Sequence, residues 1–498
     1  MYLGIDCGTQ GTKALILNPE TGEVLGQGSA SHQLISGANG RREQHVDQWL
    51  TALEQATQAA LQQAGISGQM IKGMAVSGQQ HGLVLLDKQG HVLRPAKLWC
   101  DTESTAENQQ LLDELGGETG SIERLGVAIA PGYTVSKLRW TQRNHPELFA
   151  QIAHILLPHD YLNYWLTGRC CSEYGDASGT GYFNIRTRTW DTELLEHIDP
   201  TGRLIKALPE LIDSDQPVGT LRTEAAERLR LNPDVIVASG GGDNMMGAIG
   251  TGNIRPGAIT MSLGTSGTLY AYGDQPVIST HPQVAAFCSS SGGWLPLICT
   301  MNLTSASGLI QQLLELKLDD FANLVNAAPI GAEGLLMMPF FNGERVPALP
   351  HATASLSGMT SENLNRANLC RAVVEGTLFS LRYGLDLLRD SGIQSREIRL
   401  IGGAAKSPMW RQAVADIMAT PLVCPEYTEA AALGAAIQAA WCVARLGGKA
   451  VSLDLLCDAC VRLDDHTRTA PDPQRSAQYE YVYHRYREQL KSAQAVSQ

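Results

Sequence analysis

A short glycine- and threonine-rich segment occurs twice in this chain and constrains the fold more than any other sequence feature. The segment GTQGT at 8–12 recurs 256 residues later, from position 8 to position 264, as GTSGT at 264–268. Apolar runs flank both copies, at 3–6, 14–17, 259–263 and 269–272. Each copy therefore predicts a strand–turn–strand hairpin. An offset of about half the 498-residue chain predicts a duplicated, two-domain architecture.

Strand and helix patterns are mixed along the whole sequence, which predicts an α/β fold. A length of 498 residues is enough for two domains with separate cores. The segment Ile254-Arg255-Pro256-Gly257 is typical of a boundary. We therefore expect an N-terminal domain at 1–253 and a C-terminal domain at 254–498.

The two hairpins have the composition of anion-binding turns. Glycines allow consecutive backbone N–H groups to point inward, and threonine hydroxyls add donors, so such turns can hold phosphates. The spacing differs from that of a Walker A loop. A tight hairpin without a ligand is the alternative. Asp6 precedes the first turn and is a candidate acid on the magnesium side of a nucleotide. The predicted phosphate contacts are Gly8, Thr9, Gln10, Thr12, Lys13, Gly264 and Thr265.

A three-glycine turn near the middle of the chain delivers a single acid. The apolar run at 235–238 leads into Ser239 and three glycines, and Asp243 and Asn244 follow. Glycines leave open space beside the acid, and the small residues after it suit the first turn of a helix. This arrangement predicts a carboxylate at the mouth of a cleft. An Asp that merely caps the helix is the alternative.

Two segments upstream could supply the walls of the same cleft. The turn at 78–82 places Gln80 and His81 at a strand end, where a small polar ligand could bind, although a lone His is more often structural. Trp99 and Asp101 end the next polar segment.

Downstream, Gly402 and Gly403 join a strand to a helix, with Ser407 at the start of the helix. Such a junction lets a base or ribose approach the backbone closely, or simply makes a tight turn.

Composition excludes several classes of protein. A net charge of −12 argues against a nucleic-acid binder. The N-terminus has no basic region or cleavage site, and the most apolar window, 430–444, is too short to span a bilayer. We therefore expect a cytoplasmic protein that acts without nucleic acid or membrane. The 11 cysteines are scattered, and the lone pair Cys457 and Cys460 gives no metal prediction.

Together these motifs resemble a known family. The pattern Asp6-x-Gly8-Thr9-x-x-x-Lys13 is similar to the first phosphate motif of the actin/hexokinase/Hsp70 superfamily, and the segment at 262–267 is similar to the second. The pattern from Gly402 to Ala436 resembles the adenosine region of the FGGY carbohydrate kinases, and 132–140 resembles another segment of that family. The turns at 78–87 and 240–244 are similar to those of members that phosphorylate a pentulose. The resemblance extends over about residues 1–445.

The resemblance implies two ribonuclease-H-like domains with ATP, Mg²⁺ and sugar in the cleft between them. It implies transfer of the γ-phosphoryl group to a terminal hydroxyl of D-xylulose, giving D-xylulose 5-phosphate. By position, Asp243 matches the catalytic base, and His81 and Asn244 match sugar-binding residues. Gly403 and Ser407 match adenosine contacts. A homodimer is a further expectation from the family.

Other functions stay open at this point. The chain departs from the family pattern at Gln80, Lys97, Cys100 and Glu103, around the predicted sugar pocket. These departures keep alternative substrates open, namely ribulose, fuculose, gluconate and glycerol. An actin- or Hsp70-like ATPase is the alternative from another class. Few residues follow position 445, which argues against a peptide-binding domain there.

Overall fold

The computed structural model describes residues 1–497, with side chains through residue 494. Strands and helices are mixed along the whole chain, as the sequence predicts. The strands of the first half are β1 (Tyr2–Cys7), β2 (Gly11–Asn18), β3 (Glu23–Ser31), β4 (Ile35–Ser36), β5 (Arg42–Gln44), β6 (Gly73–Gly78), β7 (Val84–Leu86), β8 (Ala96–Lys97), β9 (His154–Leu156), β10 (Cys171–Glu173), β11 (Phe183–Asn184), β12 (Thr189–Trp190), β13 (Glu210–Ile212), β14 (Pro217–Thr220), β15 (Ile236–Ala238) and β16 (Gly241–Gly242). Its helices are α1 (Val46–Ala64), α2 (Thr105–Leu115), α3 (Gly117–Leu125), α4 (Thr134–Asn144), α5 (Pro146–Phe149), α6 (Pro158–Thr167), α7 (Tyr174–Ala177), α8 (Thr192–Ile198), α9 (Arg203–Lys206), α10 (Thr223–Leu229) and α11 (Asp243–Gly250).

The second half continues in the same α/β style. Its strands are β17 (Gly257–Leu263), β18 (Gly267–Ala271), β19 (Ala285–Cys288), β20 (Trp294–Thr300), β21 (Leu336–Met338), β22 (Ser355–Ser357), β23 (Ser395–Ile401), β24 (Leu422–Pro425) and β25 (Leu463–Thr469). Its helices are α12 (Thr304–Leu313), α13 (Leu318–Ala327), α14 (Arg366–Asp390), α15 (Pro408–Met418), α16 (Ala430–Leu446), α17 (Leu453–Cys460) and α18 (Pro473–Ser497).

Two large mixed sheets share one strand order. The first is β14-β15-β6-β1-β2-β3, with β16 also paired to β6, and the second is β19-β20-β18-β17-β23-β24-β25. In each, a GT hairpin (β1–β2 or β17–β18) is antiparallel, and a third antiparallel strand (β3 or β20) lies beside it. Two parallel strands lie on the other side, β6 and β15 or β23 and β24. Both predicted hairpins are therefore present, at equivalent places in equivalent sheets.

Helices α11 and α16 cross in direct backbone contact. A Cβ added at Gly434 would lie 1.8 Å from Met246 O, and one at Gly250 would lie 1.8 Å from Ala430 O. Helix α16 comes from the second half but packs against β1 and β6 of the first, where a Cβ at Gly4 would lie 1.8 Å from the O of Ala432. Only glycine permits such approach. The crossing thus binds the two halves together at their centre.

The face of α18 that carries Tyr479, Tyr483 and Tyr486 is buried against Phe379 of α14, so it forms core. All 11 cysteines are free thiols. No helix in the part of the chain that the structure describes has the length and apolar character needed to cross a membrane.

The helix crossing gives a first testable prediction. Gly434→Ala replaces a helical glycine by the best helix former, which alone would stabilise the helix by about 1 kcal/mol. We expect destabilisation instead, because the new methyl would collide with a backbone oxygen, and overpacking of this kind costs about 1–3 kcal/mol. Thermal unfolding of the purified protein measures the effect. Gly308→Ala is the matched control, because its helical Cβ would meet no atom within 4 Å. Equal melting temperatures for the two variants would contradict the close crossing.

Candidate active site

The two carboxylates predicted for the cleft lie at one edge of the first sheet. Strands β1, β6 and β16 are parallel, with Asp6 paired to Ser77 and Ser77 paired to Gly241. Asp243 follows two residues later, as the first residue of α11. Ligands of open α/β sheets bind outside the carboxyl ends of the strands. Asp6 and Asp243, far apart in sequence, therefore face the same space.

Buried side chains from distant segments hold the turn before Asp243. His159 Nε2 lies 2.6 Å from the carbonyl oxygen of Ser239, and Asn163 Nδ2 donates to the same oxygen at 2.8 Å. Gly240 has a φ of +69°. Its N–H donates to Gln438 Oε1 at 2.8 Å, and its carbonyl accepts from Gln438 Nε2 at 3.2 Å. Because Gln438 lies on α16, the helix that crosses α11 also fixes the turn that leads into it.

Asp243 has the environment of a proton acceptor. Gly242 occupies the N-cap of α11, and Asp243 is the first helical residue. Its Oδ1 accepts from the N–H of Asn244 at 2.8 Å and from Asn244 Nδ2 at 3.0 Å. Burial and then the charge of Asp6 raise the pKa of Asp243 from 3.8 to about 7. A general base works best with a pKa near the operating pH.

Asp6 fits the predicted magnesium side of the site. Burial raises the pKa of Asp6 to about 6, although the charge of Lys13 and a 3.0 Å hydrogen bond from Ser77 Oγ lower it. Lys13 forms an ion pair with Glu429, so its predicted phosphate contact would compete with this pair. Neighbouring carboxylates that resist ionisation fit a divalent cation, because a bound cation removes their repulsion and Mg²⁺ prefers oxygen ligands. Asp6 and Asp243 are the residues that could hold it.

Gln80 and Asn244 form a polar wall beside Asp243. Gln80 Oε1 accepts from Asn244 Nδ2 at 2.8 Å, which orients the amide that also contacts Asp243. Within the described structure, Gln80 Nε2 is buried with no hydrogen-bond partner. Gly242 leaves the necessary room, because a Cβ there would lie 2.8 Å from Gln80 Cγ. A buried donor without a partner costs free energy that a ligand oxygen could recover.

His81 adopts a conformation that its surroundings impose. Its φ is +64°, which is uncommon for a residue other than glycine, and its carbonyl accepts from Lys137 Nζ at 2.7 Å. The imidazole packs on Tyr133 and Phe287, with ring centroids 4.8 and 5.5 Å away. A Cβ at residue 179 would lie 1.9 Å from His81 Nδ1, so Gly179 makes room for the ring. Burial and then the charge of Lys137 lower the pKa of His81 to about 3, so the ring is neutral.

Trp99 is held against the turn of the first hairpin by hydrogen bonds. Its Nε1 donates to Thr9 Oγ1 at 2.9 Å, and Thr9 Oγ1 donates to Gln79 Oε1 at 3.1 Å. Gln44 Nε2 donates to the Thr9 carbonyl at 2.7 Å. These contacts fix the orientation of the indole relative to the turn.

Asp101 lies behind the pocket wall. It is fully buried, its Oδ2 accepts from Lys97 Nζ at 3.0 Å, and its Oδ1 accepts from the N–H of Glu103 at 3.1 Å. Lys97 Nζ also lies 2.5 Å from Glu103 Oε2 and 3.3 Å from Glu43 Oε1. The structure therefore does not bring Asp101 to the predicted substrate surface. Lys97 and Glu103, two departures from the family pattern, are partners in one ion-pair network.

Both GT hairpins keep backbone donors available. The N–H of Gly8 donates to Gly11 O at 3.0 Å, and that of Gly264 donates to Ser266 O at 3.2 Å. Four further N–H groups make no hydrogen bond in the described part of the chain, those of Thr9, Gln10, Thr265 and Ser266. Such donors fit phosphate oxygens. The side chain of Thr12, another predicted phosphate contact, is not available to a phosphate. It is buried, and its Oγ1 lies 2.8 Å from His32 Nε2.

The predicted adenosine junction lies beside the second hairpin. Gly402 has a φ of +94°, and a Cβ there would lie 2.6 Å from Leu263 O, directly before that hairpin. A Cβ at Gly403 would meet no atom within 4 Å. Ser407 occupies the N-cap of α15 without a side-chain cap hydrogen bond. This open backbone fits the flat face of a base or ribose.

Sequence reasoning missed several residues that shape this site. It assigned no role to Arg345 in the loop at 339–350, yet this side chain reaches across the cleft, with Cζ 5.8 Å from the centroid of the Trp99 ring. It assigned no role to His159 or Gln438, which hold the turn before Asp243. The loop's Glu-Arg pair, a charged dipeptide between two prolines, is the signal that could have found Arg345.

Family models and curated relatives show what this chain is similar to. Residues 1–250 match the N-terminal domain of the FGGY family of carbohydrate kinases, and residues 259–443 match its C-terminal domain. Xylulose kinase of Haemophilus influenzae is 51% identical over 490 residues, which cover 98% of each chain.

Two solved structures are also similar. Xylulose kinase of Lactobacillus acidophilus has a TM-score of 0.91 at 24% identity, covers 99% of this chain and 98% of its own, and supports the fold alone. Gluconate kinase of the same organism has a TM-score of 0.90 at 25% identity and covers 98% of this chain and 97% of its own. The fold is therefore the two-domain kinase fold that the sequence predicts. The chain belongs to the FGGY family of carbohydrate kinases.

Proposed function

We propose that this protein transfers the γ-phosphoryl group of ATP to D-xylulose and forms D-xylulose 5-phosphate. The observation that carries the proposal is the carboxyl group of Asp243, with its raised pKa, between a polar wall and two donor-rich hairpins. The similarity to xylulose kinase over almost the full chain supports the choice of sugar. The expected site of action is the cytoplasm, where ATP is available and free thiols such as these 11 cysteines persist.

In this mechanism Asp243 accepts the proton of the attacking sugar hydroxyl. Its Oδ1 is held by Asn244, and among the described residues no donor bonds to Oδ2, which leaves that oxygen for the hydroxyl. Gln80, His81, Asn244 and Trp99 form the surface on which the sugar is oriented. Phosphoryl transfer depends mainly on positioning and on electrostatic stabilisation. The hairpin N–H groups supply the donors for phosphate oxygens.

The nucleotide side belongs to the second half of the chain. Gly264, Thr265, Gly402, Gly403 and Ser407 would contact ATP, together with Gly8, Thr9 and Gln10 of the facing hairpin. Mg²⁺, held at Asp6 through water and near Asp243, would supply positive charge against the phosphates. We accordingly propose the division into a sugar-binding domain at 1–253 and an ATP-binding domain at 254–498.

A substrate panel tests the proposed reaction. We expect D-xylulose to give the highest kcat/KM with ATP among D-xylulose, L-xylulose, D-ribulose, L-fuculose, gluconate and glycerol. ADP release in a coupled assay is the measurement, with the product identified by mass spectrometry. A higher kcat/KM for any other compound in the panel would show that this compound, and not D-xylulose, is the preferred substrate. Turnover of ATP that is indifferent to every sugar would instead favour an ATPase.

Replacing the proposed base should lower turnover and raise the stability of the folded protein. Asp243→Asn should lower kcat by about 10²–10⁴-fold, the typical contribution of a general base, while ATP binding persists. The variant should also melt at a higher temperature at pH 8. The folded-state pKa of about 7 lies above the ordinary 3.8, so the ionised carboxyl group opposes folding as pH rises through this range.

The control for this variant is the exposed, remote Asp234, as Asp234→Asn. We expect it to leave both kcat and the melting temperature unchanged. The gain in melting temperature for Asp243→Asn should shrink as pH falls below 7 and vanish near about pH 3, where the carboxyl group is protonated in both folded and unfolded states. Near-normal turnover by Asp243→Asn would show that the base has been misassigned.

A further inference from the structure

An arginine without an acidic partner faces the sugar side of the cleft from the opposite half. Arg345 is exposed, and its guanidinium makes no ion pair with a carboxylate in the described part of the chain. Its one side-chain hydrogen bond is to a sulfur, with Nη1 3.9 Å from Cys299 Sγ. A guanidinium has five N–H donors, and a thiol is a weak acceptor. Most of its hydrogen-bonding capacity is therefore available to a ligand.

The wall that Arg345 faces consists of uncharged groups. Its Cζ lies 5.8 Å from the centroid of the Trp99 ring. It is also close enough to His81 and Tyr133 to affect the pKa of both. Burial and then the charges of Lys137 and Arg345 lower the pKa of His81, whereas burial raises the pKa of Tyr133 and the charge of Arg345 partly opposes that rise. His81, Tyr133 and Trp99 are adjacent to the polar wall beside Asp243. No group on this wall neutralises the arginine, so an oxygen-rich ligand between them is the complementary partner.

The backbone under Arg345 is tied to the second phosphate hairpin. The neighbouring Glu344 is fully buried and accepts hydrogen bonds from the N–H of Met301 at 2.6 Å and from Asn302 Nδ2 at 3.0 Å. The next residue, Leu303, donates its N–H to Thr265 O at 3.1 Å. Arg345 and the hairpin are therefore parts of one rigid assembly on the ATP-binding half.

We propose that Arg345 is a sugar-binding residue that reaches the substrate from the ATP-binding half. Its guanidinium donates to oxygens of the sugar held against Trp99 and His81. A bound sugar is thereby contacted from both halves, which draws the phosphate hairpin towards Asp243. This inference rests on the proposed sugar kinase function, and it explains how ATP turnover can depend on the sugar.

Steady-state kinetics of Arg345→Gln test the proposal. We expect KM for the sugar to rise at least ~10-fold because charged hydrogen bonds to the sugar are lost, while KM for ATP changes less than about 2-fold. Sugar-stimulated ADP release should fall in parallel. Added guanidinium chloride at millimolar concentration should partly restore activity of Arg345→Ala, which a merely structural role would not allow. Arg396→Gln, an exposed arginine on β23, is the matched control and should leave all constants unchanged.

Three outcomes would overturn the inference. An unchanged KM for the sugar would show that Arg345 does not bind it. A rise confined to KM for ATP would assign Arg345 to the nucleotide. A loss of activity that guanidinium fails to restore at any concentration would assign it a structural role. Because each variant is assayed with the sugar that the wild type prefers, failure of the D-xylulose assignment in the wild type is separate from failure at Arg345.

Discussion

The contact between α11 and α16 is the constraint on which the rest of this structure depends. Glycines at 250 and 434 let the two helices touch through their backbones, and α16 also lies against the first sheet at Gly4. Helix α11 begins with Asp243, and α16 carries Gln438, which holds the turn before it. One helix pair therefore joins the halves of the chain and sets the position of the proposed base. A change at the crossing should disturb folding and catalysis together.

The site keeps its carboxyl groups in an electrostatically unfavourable state. Burial is the main cause of the raised pKa values of Asp6 and Asp243, and each group lies near other acids. Such an arrangement costs stability in the free protein, but under the proposed function it would prepare the site for a cation and for a proton from the sugar. The acids behind the pocket differ, because Lys97 forms ion pairs with Asp101, Glu103 and Glu43, and Arg94 also pairs with Glu43. A buried carboxylate with a cationic partner is thus structural in this protein, whereas a buried carboxylate beside other acids is a candidate for catalysis.

Much of the architecture could be predicted from local sequence. The GT repeat gave both hairpins, because turn glycines and flanking apolar runs are local signals. The glycine turn predicted a helix that begins near Asp243, because the turn glycines are also a local signal. The supports of these elements could not be predicted, since Gln438 lies 198 residues from Gly240, and His159 lies 80 residues from Ser239. Asp101 was predicted at the pocket because it follows Trp99, but the ion pair with Lys97 turns it inward. The position of Arg345 opposite Trp99 depends on how the two halves of the chain pack together, which no local sequence pattern encodes.

The pH dependence of kcat/KM for the sugar is the most direct test of this account. If Asp243 is the base and its environment holds the pKa where the structure implies, kcat/KM should fall as pH decreases through an ionisation of the free enzyme near 7. The acid limb should be absent from the residual activity of Asp243→Asn. A profile that stays flat from pH 5 to pH 8, or a limb that the Asn variant retains, would contradict the account.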